Sequence, residues 1–573
     1  MMFRVKAVIF LLFFILSGCG KEKKSNDISN KVRKYIESHR LTNNPLKIGE
    51  KFNFHGMKIK DIDFSNLDLT NIDFSSCKLK RINFTKAILV NTQFNRSLIT
   101  ECDFSFSKIE NTSFKQANIL SSIFTNSHID NTSFIGTKTQ AIDFSKSAIK
   151  KSYFIESKFS KSHFNSCHIS ESVFKQLNMK NFSGNNVQIT KSKFWGVDLR
   201  NANIQNAQIN DTHFQSTDFS KSKVIQSIIK NCLFKYAILE ATDFDKSHIV
   251  KTEFNTSTLN DTKFKHSNIE SLEVDKCEMY DVLLSTTKCS KCSFINTNIN
   301  SSIFNKTWIG DSSVTGASIQ NTIFKESSIL NTKISNSVIS DNKFAEVKIE
   351  KAHIQDSYLK YCNVKNSELH QNSFNKNISK QNTYNKTTIH DNVFKQSAFI
   401  DVKYLDSYLD NHFVDGNINN THASNSTIKN KYHRMIIVNS DTMINAQDKS
   451  SIVTNVNDII KIPDLTSMNF AYLDLQGISI TQRDISNGIF RYTKLSNTSY
   501  NSCLIRNVDF SNTELTNTSF RGSSIYSSNF SNAVLDRTNL DYTDLYSIDF
   551  SLSKIISFSD VSTKKRDVLG LIK

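Results

Sequence analysis

A large apolar residue recurs at every fifth position through most of the chain. Starting at Ile59, this register contains 72 positions and reaches Val414 without an insertion or a deletion. The only exceptions are Thr139, Gly184 and Ser379, and Cys289 is counted as apolar. A helix would rotate such residues by about 140° at each step, and a straight strand would alternate them between its two faces. The pattern therefore predicts a chain that turns a corner every five residues and points this residue inward each time.

The position two residues before the large residue is usually small. Between residues 62 and 412, 52 of 71 such positions are Ala, Ser, Thr or Cys. The other three positions of each pentad are mostly polar, so we expect them to face solvent. Asn often precedes the small residue, as at Asn111 and Asn131, and Asn tolerates turn conformations well. This pattern places the corner next to the small residue.

The pentads resemble those of the pentapeptide-repeat family, whose consensus is A(D/N)LXX with a central Leu or Phe. Residues 62–66 (IDFSN), 67–71 (LDLTN) and 72–76 (IDFSS) match this consensus closely after their first position. The resemblance implies an all-β fold, a right-handed quadrilateral β-helix with four pentads in each coil. Ser and Thr often replace the consensus Ala, and Lys, Ser or His often replace Asp or Asn, which changes the surface more than the core. The resemblance covers about four fifths of the chain.

Phe is distributed unevenly over the inward positions. It occupies 24 of the 36 register positions whose numbers end in 4, but only 3 of the 36 whose numbers end in 9. In a four-sided coil, residues ten apart lie on opposite sides, so the sequence predicts two facing Phe ladders. The 72 pentads would make 18 coils, and a strand spacing of about 4.8 Å would give a rod of roughly 85 Å. At Gly184 the large side chain is missing, and we expect Phe182 to fill its space with a local bulge.

The five-residue register breaks after Val414, which divides the chain. We predict a first solenoid array over residues 51–414 and an irregular insertion over 415–464, with a strand at 432–439 and a short helix at 450–462. A plug, a hinge, a binding loop and a plain insertion all stay open for this segment. The register returns at Phe470 and continues to Ile555, so a second array is predicted over 465–558. Residues 559–573 are predicted to form a cap with a short basic helix over 563–573.

The first residues indicate export. Arg4 and Lys6 precede an apolar run of nine residues at 8–16, which is too short to span a bilayer and fits the hydrophobic region of a signal peptide. The segment 16–19 (LSGC) then resembles the bacterial lipobox. This resemblance implies that residues 1–18 are removed and that Cys19 becomes a lipidated N-terminus. A plain secretory signal with a chance cysteine is the alternative.

The residues after Cys19 are predicted to connect the lipid to the solenoid. Gly20 in place of an Asp favours the outer membrane over the inner membrane, by resemblance to lipoproteins of enterobacterial type. Residues 20–30 are polar and predict a flexible tether, and the spacing of apolar residues over 27–40 predicts a short amphipathic helix. Residues 19–50 are therefore interpreted as a lipidated tether with an N-terminal capping helix.

Charge narrows the choice of partners. The net charge of +17 becomes +15 when Arg4 and Lys6 leave with the signal peptide. A basic surface favours anionic partners, whereas interspersed Lys, Asp and Glu favour a mixed, solvated surface. A continuous lysine column on one side of the solenoid would support the first interpretation, and even mixing would weaken it.

Cys and His offer little recognisable chemistry. Eight cysteines occupy small inward sites and Cys289 occupies a large one, so we interpret them as substitutes for Ala or Ser. The pair Cys289 and Cys292 has redox or metal spacing, but a single CxxC is weak evidence.

Six histidines share the outward slot before the large residue, and no metal ligand set is predicted; they are His128, His163, His168, His213, His248 and His353. We therefore predict no catalytic residue, cofactor or metal.

These observations predict a non-catalytic, lipid-anchored binding scaffold of the bacterial cell envelope. Its expected partners are the membrane, through the lipid on Cys19, and an anionic envelope polymer or an acidic protein; nucleic acid is not expected. Some pentapeptide-repeat proteins mimic DNA and bind topoisomerases, but those are acidic and cytoplasmic, whereas this chain is basic and exported. Polysaccharide-active β-helix enzymes are a further alternative, but they build clefts from long loops, which 72 uninterrupted pentads lack.

Replacing Cys19 with Ala tests the anchor. Because the acyl chains would be attached through its thiol, Cys19→Ala should release the protein from membranes into the soluble fraction and abolish incorporation of labelled fatty acid. Fractionation and metabolic labelling measure both effects. Cys77→Ala, which removes a cysteine of the repeat, should leave both unchanged, and a membrane-bound, labelled Cys19→Ala protein would contradict the assignment.

Overall fold

The computed structural model describes residues 33–34, 54–433, 435–438, 440, 452–453 and 455–571. The signal peptide, Cys19 and most of the predicted tether lie outside these residues. Of the predicted helix over 27–40, only Arg33 and Lys34 are described, and both are helical. The chain divides into two compact units, Met1–Lys288 and Cys289–Lys573. None of the described helices is long and apolar enough to cross a bilayer.

In the first unit, each coil consists of four pentads and has four corners. Strands pair in parallel with the residue four pentads later, as Ile149 does with Ile169. The residue before each small site has a left-handed backbone, with φ of 60° at Asn66, 63° at Asn71 and 58° at Ser76. The prediction of four pentads in each coil, with a corner next to the small residue, is confirmed.

The four sides of a coil are defined by their inward residues. Phe64 and every twentieth residue after it lie on the first side, and Leu69, Phe74 and Leu79 define the second, third and fourth sides in the same way. Most strands are three residues long and centred on the inward residue.

The strands of the first unit are as follows. On the second side they are Ile88–Val90, Lys108–Glu110, His128–Asp130, Ala148–Lys150, His168–Ser170, Gln188–Thr190, Gln208–Asn210, Ile228–Lys230, His248–Val250 and Asn268–Glu270. On the third side they are Ser133–Ile135, Tyr153–Ile155, Val173–Lys175, Lys193–Trp195, His213–Gln215, Leu233–Lys235, Glu253–Asn255 and Glu273–Asp275. On the fourth side they are Lys58–Lys60, Lys78–Lys80, Leu98–Thr100, Asn118–Leu120, Lys138–Gln140, Lys158–Ser160 and Glu278–Tyr280, and on the first side Leu283–Ser285.

Two Phe ladders fill the coils of the first unit, as predicted. Phe94 stacks on Phe114 of the same side, with ring centroids 4.8 Å apart and planes inclined by 2°. It meets Phe104 of the opposite side edge to face, at 5.8 Å and 81°. All three rings are fully buried. Edge-to-face pairs across the coil and stacked pairs along it are both favourable for aromatic rings, so the ladders hold the coils together.

The small inward residues are mostly Ser and Thr because their hydroxyls satisfy backbone groups at the corners. The Thr112 hydroxyl donates to the Leu89 carbonyl oxygen over 2.6 Å. The Ser152 hydroxyl accepts a hydrogen bond from the Thr132 amide of the preceding coil over 3.2 Å. Buried backbone polar groups without partners are costly. Ser and Thr therefore stabilise these corners more than Ala, which would fill the space but could not form the hydrogen bonds.

The exception at Gly184 is accommodated by an exchange of volume. A Cβ atom on Gly184 would lie 2.4 Å from a ring carbon of Phe182, whose side chain is buried. The Phe182 ring therefore fills the space of the missing large residue, as predicted. Ser183 pairs in register with His163 and Asn203, so the coil keeps its four full pentads and the predicted bulge is wrong.

In the second unit, the strands that precede the second array lie on all four sides of the coils. On the second and third sides they are Trp308–Gly310, Ser328–Leu330, Lys348–Glu350, Glu368–His370, Ser293–Ile295, Ser313–Thr315, Lys333–Ser335, His353–Gln355, Ser373–Asn375, Thr388–Lys395, Tyr408–Val414, Thr427–Ile428 and Lys431–His433, together with Lys288–Ser290, which begins at the last residue of the first unit. On the fourth side they are Asn298–Asn300, Ser318–Gln320, Val338–Ser340, Tyr358–Lys360, Ile378–Lys380, Ala398–Ile400, Asn417–Asn419, Met435–Val438 and Ile452–Val453. On the first side they are Ile303–Asn305, Ile323–Lys325, Lys343–Ala345, Asn363–Lys365, Thr383–Asn385, Lys403–Leu405 and His422–Ser424.

Ile and Val replace many of the inward Phe residues in these coils. An apolar cavity of about 90 Å³ lies inside the coils formed by residues 294–359. It is lined by side chains such as Ile309, Ile329 and Phe324. Several small inward sites carry Asn instead of Ser or Thr. The Asn342 side chain accepts from the Thr322 amide over 2.8 Å and donates to the Ile319 carbonyl oxygen over 2.9 Å. A longer polar side chain thus performs the task of the Ser hydroxyl.

The coil becomes one residue shorter near the end of the first array. Pairing shifts between His390 and Val393, so that Phe394 is opposite Phe413 and not Val414. Phe413 is buried, and Val414 is only half-buried. The prediction that the inward register reaches Val414 is therefore wrong by one residue.

Residues 415–433 and 435–438 continue the solenoid with this shorter coil. Ile418 pairs with Phe399 and with Ile437, so the shorter spacing is kept on both sides of it. The expected irregular insertion over 415–464 thus begins with regular strands, which a search at a fixed five-residue interval does not detect. Its predicted strand at 432–439 corresponds to Lys431–His433 and Met435–Val438, and its predicted helix to a 3-10 helix, Val456–Lys461, just before Pro463.

The second array returns to coils of four full pentads. Its strands begin at Leu504. They are Leu504–Arg506, Ser524–Tyr526, Val534–Leu535, Thr538–Asn539, Asp544–Asp549, Lys554–Ile555, Phe558–Ser559 and Lys564–Leu569. The last of these pairs with Asp544–Asp549, so the predicted C-terminal helix is wrong. The charged residues of Lys564–Leu569 are exposed, and the strand forms because the preceding coil offers it a complete row of backbone hydrogen-bonding groups.

Within the second unit, the start of the second array packs against the fourth side of the first array. The Asn417 side chain donates to the carbonyl oxygens of Asn469 and Ala471, over 2.9 and 3.1 Å. The hydroxyls of Tyr358 and Tyr472 lie 2.9 Å apart. An apolar cluster surrounds these contacts and contains Ile378, Ala398, Ile400, Ala471 and Ile489.

The core assignment predicts a large loss of stability for Phe114→Asp. Removing a buried Phe costs about 3–5 kcal/mol, and placing a carboxylate between the rings of Phe94 and Phe134 adds a desolvation penalty. Thermal or urea unfolding measures the change. His128→Ala is the matched control, because His128 is exposed, and it should leave the unfolding midpoint nearly unchanged. Equal stability of the Phe114→Asp and wild-type proteins would contradict the core assignment.

Candidate functional site

Cys19, the one site residue that the sequence predicts, lies outside the described residues. The other cysteines divide into two groups. Seven are free and buried, as expected of core-filling residues; they are Cys77, Cys102, Cys167, Cys232, Cys277, Cys362 and Cys503. Burial raises the pKa of Cys77, Cys102, Cys167 and Cys232 to about 12, so these thiols are protonated at neutral pH and poorly nucleophilic.

Cys289 and Cys292 form a disulfide bond, with Cα atoms 6.0 Å apart. The prediction that both are substitutes for Ala or Ser is therefore wrong for this pair. Cys289 occupies a large inward site and Cys292 the small inward site that follows it. Both side chains point into the same corner of the coil, which brings their sulfur atoms together.

Outward charges of both signs are interspersed, and several of them form ion pairs. The Arg81 guanidinium lies 2.6 Å from a carboxylate oxygen of Asp61, and this hydrogen bond lowers the pKa of Asp61. Lys108 pairs with Glu110 over 3.0 Å. The lysine pairs that begin the fourth side, at residues 58–60 and 78–80, give way to Leu98 and Thr100 in the next strand, so they form no continuous column there. This mixing weakens the interpretation that charge alone makes one side of the solenoid a binding surface for anions.

One stretch of the third side in the first unit differs from this mixed pattern. It consists of six neighbouring strands: Ser133–Ile135, Tyr153–Ile155, Val173–Lys175, Lys193–Trp195, His213–Gln215 and Leu233–Lys235. Their twelve outward residues include aromatic, aliphatic and lysine side chains and no carboxylate. We call these twelve residues, with the corner residue Tyr236, the aromatic–lysine face; the exposed carboxylate of Glu156 lies at the same corner four coils earlier and borders the face.

The backbone places the side chains of this face in two straight columns. Lys175 pairs in register with Trp195, which pairs in turn with Gln215. The Nζ atom of Lys193 lies 5.2 Å from the centre of the Trp195 ring, and that of Lys235 lies 5.4 Å from the centre of the Tyr236 ring. Each outward pair flanks a buried Phe of the third-side ladder, so the columns stand on a packed layer.

The exposure of these residues leaves them accessible to a ligand. Tyr153 and Tyr236 are 43% and 50% exposed, and Lys175 and Lys193 are exposed as well. Flat aromatic rings bind apolar faces of other molecules, and ammonium groups attract anions. The arrangement therefore suits an extended ligand that carries both flat apolar faces and negative charges.

A second group of side chains was missed by the sequence analysis. His370 and His390 occupy the same outward position in consecutive coils of the second unit and pair in register, and Asp391 follows at the corner. Ligand spacings within a short stretch of sequence do not include this pair, because His370 and His390 are 20 residues apart. A search for metal-ligating residues separated by one full coil would have found this pair.

Comparison with known proteins agrees with the geometry. The family model described as pentapeptide repeats matches residues 58–96, 77–116, 185–220 and 518–551, in 8 copies. The matched segments therefore contain pentapeptide repeats, in agreement with the coils of four pentads. No curated protein sequence matches the chain.

Several solved structures are similar in part. HetL, a pentapeptide repeat protein from the cyanobacterium Nostoc sp. strain PCC 7120, shares 11% identity over 38% of this chain and 89% of its own, with a TM-score of 0.18. QnrB1, a plasmid-mediated fluoroquinolone resistance protein, shares 12% over 33% and 83%, with a TM-score of 0.19. The alginate lyase AlyGC shares 8% over 93% and 98%, with a TM-score of 0.22. At these scores the similarities carry no argument about function.

The buried thiols predict a specific pH dependence. Because their pKa is raised from an ordinary value of about 9 to about 12, they stabilise the folded protein below pH 9, and this contribution is lost as the pH rises from about 9 to about 12. Unfolding midpoints measured across this range should fall. A variant with Cys102→Ala and Cys167→Ala should lose less stability between pH 9 and 12 than the wild type.

A second measurement separates thiol burial from other alkaline effects. Native protein at pH 8 should not react with iodoacetamide at the seven free cysteines, and all seven should react after unfolding in denaturant. Rapid alkylation of the native thiols would contradict their burial.

Proposed function

We propose that the chain is a lipid-anchored, non-catalytic binding scaffold of the bacterial cell envelope, and that its aromatic–lysine face holds an acidic polysaccharide. The observation that carries this proposal is the set of six neighbouring strands whose outward residues combine aromatic rings and lysines without a carboxylate. The fold that presents this face is a pentapeptide-repeat solenoid.

The chemistry of an acidic polysaccharide fits this face. Sugar rings present C–H faces that pack on Trp195, Tyr153 and Tyr236, while carboxylate or sulfate groups pair with Lys175, Lys193 and Lys235. Neither contact is strong alone, because exposed ion pairs contribute little. When these contacts are repeated along neighbouring strands, each bound unit of a polymer holds the next unit at high effective concentration. Weak contacts thereby combine into stronger binding.

Rigidity favours binding by this face. The outward residues alternate with Phe154, Phe174 and Phe194, whose rings stack at 4.7 and 4.5 Å within the core. The positions of the columns are thereby fixed before a ligand arrives, so little backbone entropy is lost on binding. Strands spaced by about 4.8 Å offer contacts at regular intervals to an extended polymer.

The proposed anchor places this face near the membrane. The lipobox-like segment supports a lipid on Cys19, and the polar residues after it support a tether between the lipid and the first coil. Gly20 favours the outer membrane in this proposal. A scaffold of this kind would hold envelope polymer close to the bilayer without changing it chemically.

Binding of a polyuronate tests the proposal. The full chain carrying Cys19→Ala should bind polygalacturonate and release it as salt concentration rises, since lysine contacts are screened by ions. A variant with Lys175→Gln, Lys193→Gln and Trp195→Ala should bind at least about tenfold more weakly, the equivalent of about 1.4 kcal/mol. Isothermal titration or affinity electrophoresis measures both.

A matched variant controls for net charge. Lys108→Gln with Lys150→Gln removes two lysines from another side, where Lys108 pairs with Glu110 and Lys150 with Glu171, and it should bind as the wild type does. Equal losses in the two variants would show a general charge effect and contradict the proposed face. Binding of acidic proteins but of no acidic polysaccharide would assign the face to the alternative partner.

A further inference from the structure

His370, His390 and Asp391 bring three metal-ligating atoms together on the second side of the second unit. The Nδ1 atoms of His370 and His390 lie 3.1 Å apart. A carboxylate oxygen of Asp391 lies 3.0 Å from Nδ1 of His390 and 3.5 Å from Nδ1 of His370. The three atoms thus form a nearly equilateral triangle.

This triangle has the size that a bound transition metal requires. Imidazole nitrogens and carboxylate oxygens bind Zn²⁺ at about 2.0–2.2 Å. An ion at that distance from all three atoms fits just above the plane of a triangle with edges of 3.0, 3.1 and 3.5 Å. Three protein ligands on one side of the ion would leave its remaining position open to solvent.

The backbone fixes these groups. His370 and His390 follow the inward residues Leu369 and Ile389, which are buried, and they pair directly across neighbouring parallel strands. Their rings stack with centroids 4.1 Å apart. Asp391 is the corner residue, with a φ of 55°, so its side chain leaves the coil next to His390.

A further carboxylate orients one of the ligands. Nε2 of His390 lies 3.5 Å from a carboxylate oxygen of Glu368, which is in the same strand as His370. Histidines that bind metals commonly donate their second ring N–H to a carboxylate, which directs the other nitrogen's lone pair at the metal. Glu368 is placed to do this for His390.

The exposure of the group matches a binding site at the surface. The side chains of His370 and His390 are 20% and 26% exposed, whereas that of Asp391 is 62% exposed. The imidazoles are therefore held by their surroundings, and the carboxylate borders solvent. A metal ion can reach the three atoms without any opening of the coil.

We propose that His370, His390 and Asp391 bind one divalent transition metal ion, with Glu368 as a positioning residue for His390. Two imidazoles and a carboxylate favour Zn²⁺ and similar ions over Mg²⁺ and Ca²⁺, which take oxygen ligands. The ion links two consecutive coils, and its open position faces outward. This site is independent of the aromatic–lysine face, which lies in the other unit.

Zinc binding by the full chain carrying Cys19→Ala, without an affinity tag of histidines, tests the proposal. Titration against a chromogenic chelator should show one Zn²⁺ bound per chain, and Mg²⁺ or Ca²⁺ in excess should not displace it. His370→Ala, His390→Ala and Asp391→Ala should each weaken binding at least about tenfold, and Glu368→Gln should weaken it by about tenfold without changing the stoichiometry.

Controls separate the site from general effects. His168→Ala removes another outward histidine, one that contacts Gln188, and should leave zinc affinity unchanged. Zn²⁺ should raise the melting temperature of the wild type but not of the His370→Ala, His390→Ala double variant, whose circular dichroism without metal should equal that of the wild type. Absence of stoichiometric zinc binding, or equal affinity in the double variant and the wild type, would overturn the proposal.

Discussion

The hydrogen bonds between consecutive coils determine nearly everything else in this protein. The backbone amides along a side find their acceptors in the neighbouring coil, so every coil must present its carbonyl oxygens in the same place as the coil before it. Corner residues with a left-handed backbone turn the chain so that consecutive coils superpose. Small inward residues supply hydroxyl, thiol or amide groups where the corner leaves backbone atoms unpaired. The large inward residues then fill the interior, closely in the Phe ladders of the first unit and with a cavity of about 90 Å³ where Ile and Val replace Phe in the second.

Much of this architecture follows from sequence because the constraint acts on each pentad separately. A large residue at one position and a small one two places earlier predict the corner, the inward side chains and the facing Phe ladders. The exchange of volume between Phe182 and Gly184 could be predicted because it occurs within one pentad. The buried Asn residues, such as Asn342, could not, since their side chains satisfy backbone atoms of other coils.

The errors of prediction arise where the constraint acts between coils. The shortened coil retains its pairing while it breaks the five-residue count, so residues 415–438 look irregular in sequence and are regular in space. Lys564–Leu569 is charged and lacks the inward pattern, yet the exposed edge of the preceding coil makes it a strand. The same distinction explains the site: the residues of the aromatic–lysine face, and the pair His370 and His390, are neighbours only across coils. A disulfide between Cys289 and Cys292 likewise depends on two consecutive inward positions meeting at one corner.

The shortened coil shows how length is transmitted along such a fold. The coil is one residue shorter between Asp410 and His412, opposite His390 and Val393, and the later pairs of Tyr408 with Thr427, Phe413 with Tyr432 and Ile418 with Ile437 all keep the reduced spacing. A deletion here is not absorbed by a loop, because the next coil, as far as Val438, keeps the reduced spacing. In a globular domain the loss of one residue is a local defect. In this protein the coil that pairs with a shortened coil is shortened by the same amount.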